Sequence, residues 1–107
     1  MQKFNLSDMH RGWFIGNFLP SVLKTDLFEV GIIKHKKGEV WPEHFHAIAT
    51  EYNVLLEGSM SVNGTSIEVG EIFVLDKKEP CKPIFNENCT IICVKVPSII
   101  GDKYEIL

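Results

Sequence analysis

Much of what would commit a chain to a membrane, a nucleic acid or a disulfide framework is missing from this sequence. Its longest apolar runs are only a few residues, far short of the roughly 20 that span a bilayer as a helix. The N-terminal Met1-Gln-Lys-Phe-Asn-Leu-Ser-Asp-Met9 has no apolar signal core, so no secretory leader is expected and a cytoplasmic location follows. There is no basic block and the formal net charge is −3, which argues against nucleic-acid binding as the main activity. Cysteines number three, Cys81, Cys89 and Cys93, too few and of the wrong parity for a disulfide scaffold. Cys89 and Cys93 on one strand would stand about 13 Å apart at ~3.3 Å per residue, beyond the reach of a bridge. Cys81 could face either of them across a hairpin, depending on register, but no native disulfide is expected in a reducing compartment. The sequence also lacks a GxSxG element, a P-loop, a CxxC pair and any sustained apolar repeat of helical period.

What remains is a succession of short β-type segments separated by turn residues. The hydrophobic fraction, 45%, and the length, 107 residues, suit one domain (1–107) with one modest core. Residues 1–27 are the least regular. Gly16 and Pro20 punctuate them, and they read as an arm with one or two short strands. Its Trp13, Phe14, Phe18 and Leu19 are too apolar for water, so they either cover one end of a barrel or pack on a second subunit. Phe28–His35 is a β-branched-rich strand. Val40–Phe45 reads as the next, with Val40, Pro42, His44 and His46 on one face and Trp41, Glu43 and Phe45 on the other. Glu51–Glu57 follows, with Glu51, Asn53 and Leu55 sharing a face. Asn63-Gly64 is a strong two-residue hairpin signal, because both residues accept positive φ. Ile72–Leu75 is a buried strand. Cys81–Phe85 and Cys89–Val96 flank Asn86-Glu-Asn88 and read as a hairpin. Residues 28–96 are expected to form the barrel core and 97–107 a C-terminal segment with a last short strand. Eight to ten short strands with turns every eight to twelve residues predict an all-β barrel or sandwich, and a small jelly-roll barrel fits.

The chemistry is concentrated between Gly38 and Gly58. His44, His46 and Glu51 lie within eight residues. Residues two apart on a strand point the same way, so both imidazoles and a carboxylate on the next strand converge. Imidazole and carboxylate together suit Fe, Mn, Co, Ni, Cu or Zn and leave coordination positions open for water, substrate or dioxygen.

The spacing is glycine, five residues, His44, one, His46, four, Glu51, six, Gly58. It resembles the first sequence motif of the cupin superfamily without a gap. The resemblance implies a small single-domain β-jelly-roll with a divalent transition metal inside the barrel, a small-molecule ligand and an arm that crosses between the protomers of a homodimer. The second motif of that family departs here. Gly70 opens it and Glu71–Leu75 fill its first interval, but Asp76 stands at the proline position, Lys78 at the glycine, Cys81 at the histidine and Phe85 at the asparagine. The implied metal set is therefore His44, His46, Glu51 and Cys81. A thiolate ligand at Cys81 favours a softer metal, whereas the bland alternative makes it a small buried hydrophobe.

Other side chains read as structural. His10 and His35 look like solvated histidines. Asn53 either orients Glu51 or a substrate, or faces solvent. Tyr52 and Trp41 fall opposite the ligands, which suggests packing. The Lys36-Lys37 and Lys77-Lys78 pairs look like solvated turn charges. Three functions stay open: a metal-dependent enzyme acting on a small oxygenated or carboxylated substrate, a non-enzymatic sugar- or small-molecule-binding protein, and a metal-independent sugar isomerase or epimerase using His46 with Glu51. No catalytic residue is assigned.

Overall fold

The computed structural model describes residues 1–106. A 3₁₀ turn (Leu6–Asp8) precedes strands β1 (Trp13–Gly16), β2 (Leu23–Lys24), β3 (Glu29–His35), β4 (His44–Phe45), β5 (Thr50–Glu57), β6 (Met60–Val62), β7 (Thr65–Ile67), β8 (Ile72–Leu75), β9 (Pro83–Phe85), β10 (Cys89–Val96) and β11 (Tyr104–Glu105). The all-β expectation holds. Among the described residues no helix is long and apolar enough to cross a membrane.

Six strands form one sheet in the order β2-β1-β3-β10-β5-β8, β7-β6-β9 form a second, and β11-β4 a short third. Leu55, Leu75 and Ile91 from the large sheet pack with Met60, Val62, Ile67 and Phe85 from the three-stranded sheet, so the core lies between the two. β10 shows why: Cys89, Ile91 and Cys93 are buried while Thr90, Ile92 and Val94 are only half-buried, the period-2 pattern of a strand with one face on a core.

Two readings of the sequence change. The strand expected over Val40–Phe45 shrinks to His44–Phe45. Pro42 offers no N–H to a ladder, and residues 40–43 run irregularly, leaving Val40 exposed. Strand alternation therefore does not extend to Trp41. Asn86–Asn88 is not a hairpin turn, because β9 pairs with β6 while β10 pairs with β3 and β5. Both Asn86 and Glu87 donate their backbone N–H to Ser59 O, tying the segment that carries the chain from one sheet to the other. The arm carries two short strands: β1 pairs with β3 and β2 with β1, and Trp13 lines the cavity while Leu19 stays exposed. The three cysteines are free, as expected.

The Asn63-Gly64 turn has φ of 51° and 80°, both positive as its hairpin requires. Gly58 adopts φ 96° and is hemmed in, since a Cβ there would lie 2.3 Å from Asn88 O. Gly64 has the same left-handed backbone with open space around it. Gly64→Ala should therefore lose only the conformational term, about 1–2 kcal/mol. Gly58→Ala should lose clearly more, because backbone must move. Urea denaturation of the two variants side by side checks that ordering.

Candidate functional site

The pleat and register of the large sheet decide which side chains meet. Lys95 is paired with Glu29 on one side and Glu51 on the other, and Cys93 with Gly31 and Asn53. Successive residues alternate faces, so Glu29–Lys95–Glu51 and Gly31–Cys93–Asn53 form two adjacent rows on the inner surface. Gly31 leaves a gap in the second row that the Trp13 indole fills; a Cβ at Gly31 would fall 2.7 Å from Trp13 Cε3. The rows floor a cavity of about 250 Å³ whose lining includes His44, His46, Glu51 and Cys81. All four candidate ligands thus face one space.

Cys81 is placed by backbone pairing. His44 N donates to Cys81 O at 3.1 Å and Cys81 N to His44 O at 2.7 Å, which sets the two residues opposite each other. His46 and the loop after it are held by Asp102. One carboxylate oxygen accepts from Ala47 N at 3.0 Å, the other from Ala49 N at 2.9 Å, and Ile48 N reaches both at 3.2 and 3.1 Å. Three successive N–H groups converging on one anion form a backbone nest. The Asp102 carbonyl also lies 2.5 Å from His46 Nδ1.

That contact fixes a tautomer. A carbonyl only accepts, so Nδ1 of His46 carries the hydrogen and Nε2 is the nitrogen left for chemistry. His44 repeats the arrangement with Nδ1 3.1 Å from Pro42 O. The two rings stand edge to face with centroids 5.5 Å apart. His46 Nε2 lies 3.5 Å from Glu51 Oε2, and Glu51 Oε1 accepts from Cys93 Sγ at 3.0 Å. Burial opposes the Glu51 charge, but the His46 imidazole, Lys95 and the Cys93 thiol outweigh it and hold its pKa at about 2. Burial, chiefly, lowers the His44 pKa. Burial, reinforced by Glu51, pushes the Cys81 thiol up to about 12, and the same two causes raise Cys93. The site presents two imidazoles, an ionised carboxylate and protonated thiols.

These donors suit a borderline divalent metal. Each imidazole is oriented by a carbonyl behind it, the usual outer-shell support of ligating histidines. The facing lone pairs of His46 Nε2 and Glu51 Oε2 call for a proton or a cation between them. As they stand, however, no three or more His, Cys, Asp or Glu side chains among the described residues are arranged to hold a metal ion. Ligation would require Glu51 to exchange its thiol and imidazole contacts for the ion.

Several participants escaped the sequence reading. His35, read as solvated, lines the cavity, stacks on Phe85 at 4.1 Å and places Nδ1 2.6 Å from Glu39 Oε2. Trp41, read as outward, also lines the cavity and donates Nε1–H to the same oxygen at 2.5 Å. Burial would raise the Glu39 pKa, but these two donors bring it down to about 2. Asn53 is buried in the cavity wall, and its Nδ2 has no partner among the described residues. Arg11 and Lys103 reach the cavity from opposite ends of the sequence. Strand alternation carried a signal for Asn53 and Cys93; for Asp102, Arg11 and Lys103 there was none.

No family model matches the sequence. No curated protein matches it. Solved structures do. An uncharacterized conserved protein with a double-stranded β-helix domain from Klebsiella pneumoniae aligns over 97% of this chain and 90% of its own, at 17% identity and TM-score 0.70. A cupin-2 domain containing protein from Shewanella frigidimarina aligns over 70% and 76%, at 22% identity and TM-score 0.56. The DMSP lyase DddQ from Ruegeria pomeroyi aligns over 96% of this chain and 55% of its own, at 13% identity and TM-score 0.70. At these identities the likeness establishes fold.

Asp102→Asn keeps the side-chain volume but replaces an anionic acceptor facing three N–H groups. It should cost about 1.5–3 kcal/mol, the range for hydrogen bonds to a charged group, read as a lowered urea midpoint. The depressed Glu39 pKa stabilises the fold above the unfolded carboxyl value of 4.5, and that contribution is lost as pH falls through about 2. Glu39→Gln should therefore show a shallower stability loss between pH 4.5 and 2 than the unmodified protein. Identical acid profiles for the two would count against the His35–Glu39–Trp41 cluster.

Proposed function

We propose that this chain, whose fold is that of the cupins, binds a divalent transition metal through Nε2 of His44 and His46 and the carboxylate of Glu51, and acts on a small oxygenated or carboxylated molecule in the same cavity. One observation carries the reading: both Nδ1 atoms point at backbone carbonyls, which reserves Nε2, and the second imidazole stands 3.5 Å from a Glu51 oxygen. Bound there, a metal would supply Lewis acidity or dioxygen activation.

This chain's own residues supply the rest. Asp102 orients His46 through its carbonyl and shapes the loop through its carboxylate. Glu51 remains anionic at neutral pH because of the partners named above. Cys81 lies opposite His44 and joins the set only by releasing a proton that burial holds tightly, which favours a thiophilic ion.

The His35–Glu39 contact favours a second reading. An imidazole backed by a carboxylate at 2.6 Å is a proton-transfer pair in its own right, and it would serve a metal-independent reaction in the same cavity. Elemental analysis of untagged protein separates the two. The metal reading expects near-stoichiometric metal, with His44→Ala and His46→Ala each lowering affinity at least about tenfold. Unchanged occupancy in Cys81→Ser removes Cys81 from the ligand set. Protein that is empty as purified and stays empty after titration with Fe, Mn, Ni, Cu and Zn sinks the metal and leaves the dyad.

A further inference from the structure

The cavity carries a charge imbalance that the metal reading does not use. Its lining holds three basic side chains, Arg11, Lys95 and Lys103, against a single carboxylate, Glu51, although the whole chain is net negative at −3. Lys95 has its counter-charges beside it on the sheet, Glu29 and Glu51, its register partners. Arg11 and Lys103 form no ion pair among the described residues. Both instead lie over one aromatic ring: Arg11 Cζ is 5.2 Å and Lys103 Nζ 3.9 Å from the centroid of Trp41. A cation on an indole is held more weakly than one hydrogen-bonded to a carboxylate, so the pair is available to a better partner. Burial first, and then the charges of Lys95 and Arg11, depress the Lys103 pKa, with Glu51 and Glu105 offsetting part of that effect.

The remaining walls define the rest of the occupant. Arg11 and Lys103 are exposed and therefore line the mouth, whereas Met60, Leu75, Phe85 and Ile91 are buried and apolar and line the interior. Between them, Asn53 is 5% exposed with its Nδ2 donor unsatisfied. A buried amide donor without a partner is costly unless something fills its bond. The volume, about 250 Å³, lies below the roughly 300–1,000 Å³ of sites for drug-sized ligands.

We infer that Arg11 and Lys103 form an anion clamp at the mouth of this cavity, and that its ligand is a small monocarboxylate with an apolar body and a further acceptor oxygen within reach of Asn53. The clamp presents one guanidinium fork and one ammonium, the donors suited to a single carboxylate. Glu51, sharing the cavity, disfavours a dianion. The inference deepens the proposed site by naming its substrate class, yet the clamp itself uses no metal ligand.

Calorimetric titration with isovalerate, isovaleramide and isobutyl phosphate tests it, on chelated and on metal-loaded protein. Saturable isovalerate binding is expected in the chelated protein, at least about tenfold tighter than isovaleramide. Arg11→Gln and Lys103→Gln should each weaken it about tenfold, Arg11→Lys less, and Lys36→Gln, outside the cavity, not at all. Circular dichroism confirms that the exposed-residue variants fold. Trp41 emission should shift on binding, since both cations leave its ring. Equal affinity for the amide, or indifference to both clamp substitutions, overturns the proposal. So does tighter Arg11-dependent binding of the phosphate ester. Binding that appears only with metal and ignores Arg11 and Lys103 also overturns the clamp while sparing the metal site; clamp-dependent binding to a protein that takes up no metal does the reverse.

Discussion

Asp102 is the residue on which the site depends. Its carboxylate accepts three consecutive backbone N–H groups of the loop after His46, and its carbonyl receives His46 Nδ1–H. A loop leaving a two-residue strand would otherwise have its N–H groups unpaired in a buried setting, which is unfavourable. By satisfying them with one anion, the C-terminal segment fixes where β4 ends, where β5 begins and which way the imidazole faces. β11 extends the same tie, pairing Tyr104 with Phe45 and stacking their rings at 5.4 Å. The candidate site is thus assembled by a segment more than fifty residues away in sequence.

The large sheet supplies the other half of the geometry. β10 sits between β3 and β5, so its inward residues Ile91, Cys93 and Lys95 have neighbours on both sides. Row by row this sets Glu51 beside Lys95, and Asn53 beside Cys93. The rows differ in chemistry along the strand: a charged row, then a thiol–amide row, then the apolar pair Ile91 and Leu55. The cavity is consequently graded from ionic to apolar, which gives an amphipathic ligand one orientation. Trp13 and Trp41 cover the ionic end, each beneath a cation. The N-terminal arm is part of this arrangement, since β1 delivers Trp13 over Gly31 and the turn before it delivers Arg11.

The departure at the second motif acquires a physical meaning in this setting. Cys81 occupies the position opposite His44 that backbone pairing dictates, so the backbone keeps its pattern while the side chain changes. Its thiol stays protonated near neutrality because burial and Glu51 both oppose a second negative charge. The His35–Glu39–Trp41 cluster lies along the same wall, bringing a carboxylate-backed imidazole into a cavity that already holds two other histidines. The His44–His46–Glu51 group and the carboxylate-backed His35 thus border one cavity.

The sequence made legible the all-β class, the strand periods, the Asn63-Gly64 hairpin and the shared facing of His44, His46 and Glu51. These depend on local rules, alternation along a strand and the turn preferences of Asn and Gly, that act over a few residues. It misjudged Trp41 and His35. For Trp41 the alternation was extended through Pro42, where no ladder can form; for His35 a strand end was taken for a solvated one, although Phe85 and Glu39 cover it. Strand packing alone sets the contacts of Asp102, the convergence of Arg11 and Lys103 on Trp41, the burial of Asn53 and the passage of residues 86–88 between sheets. Each is a contact between segments far apart in the chain, set by which strands become neighbours, and no local preference encodes that choice.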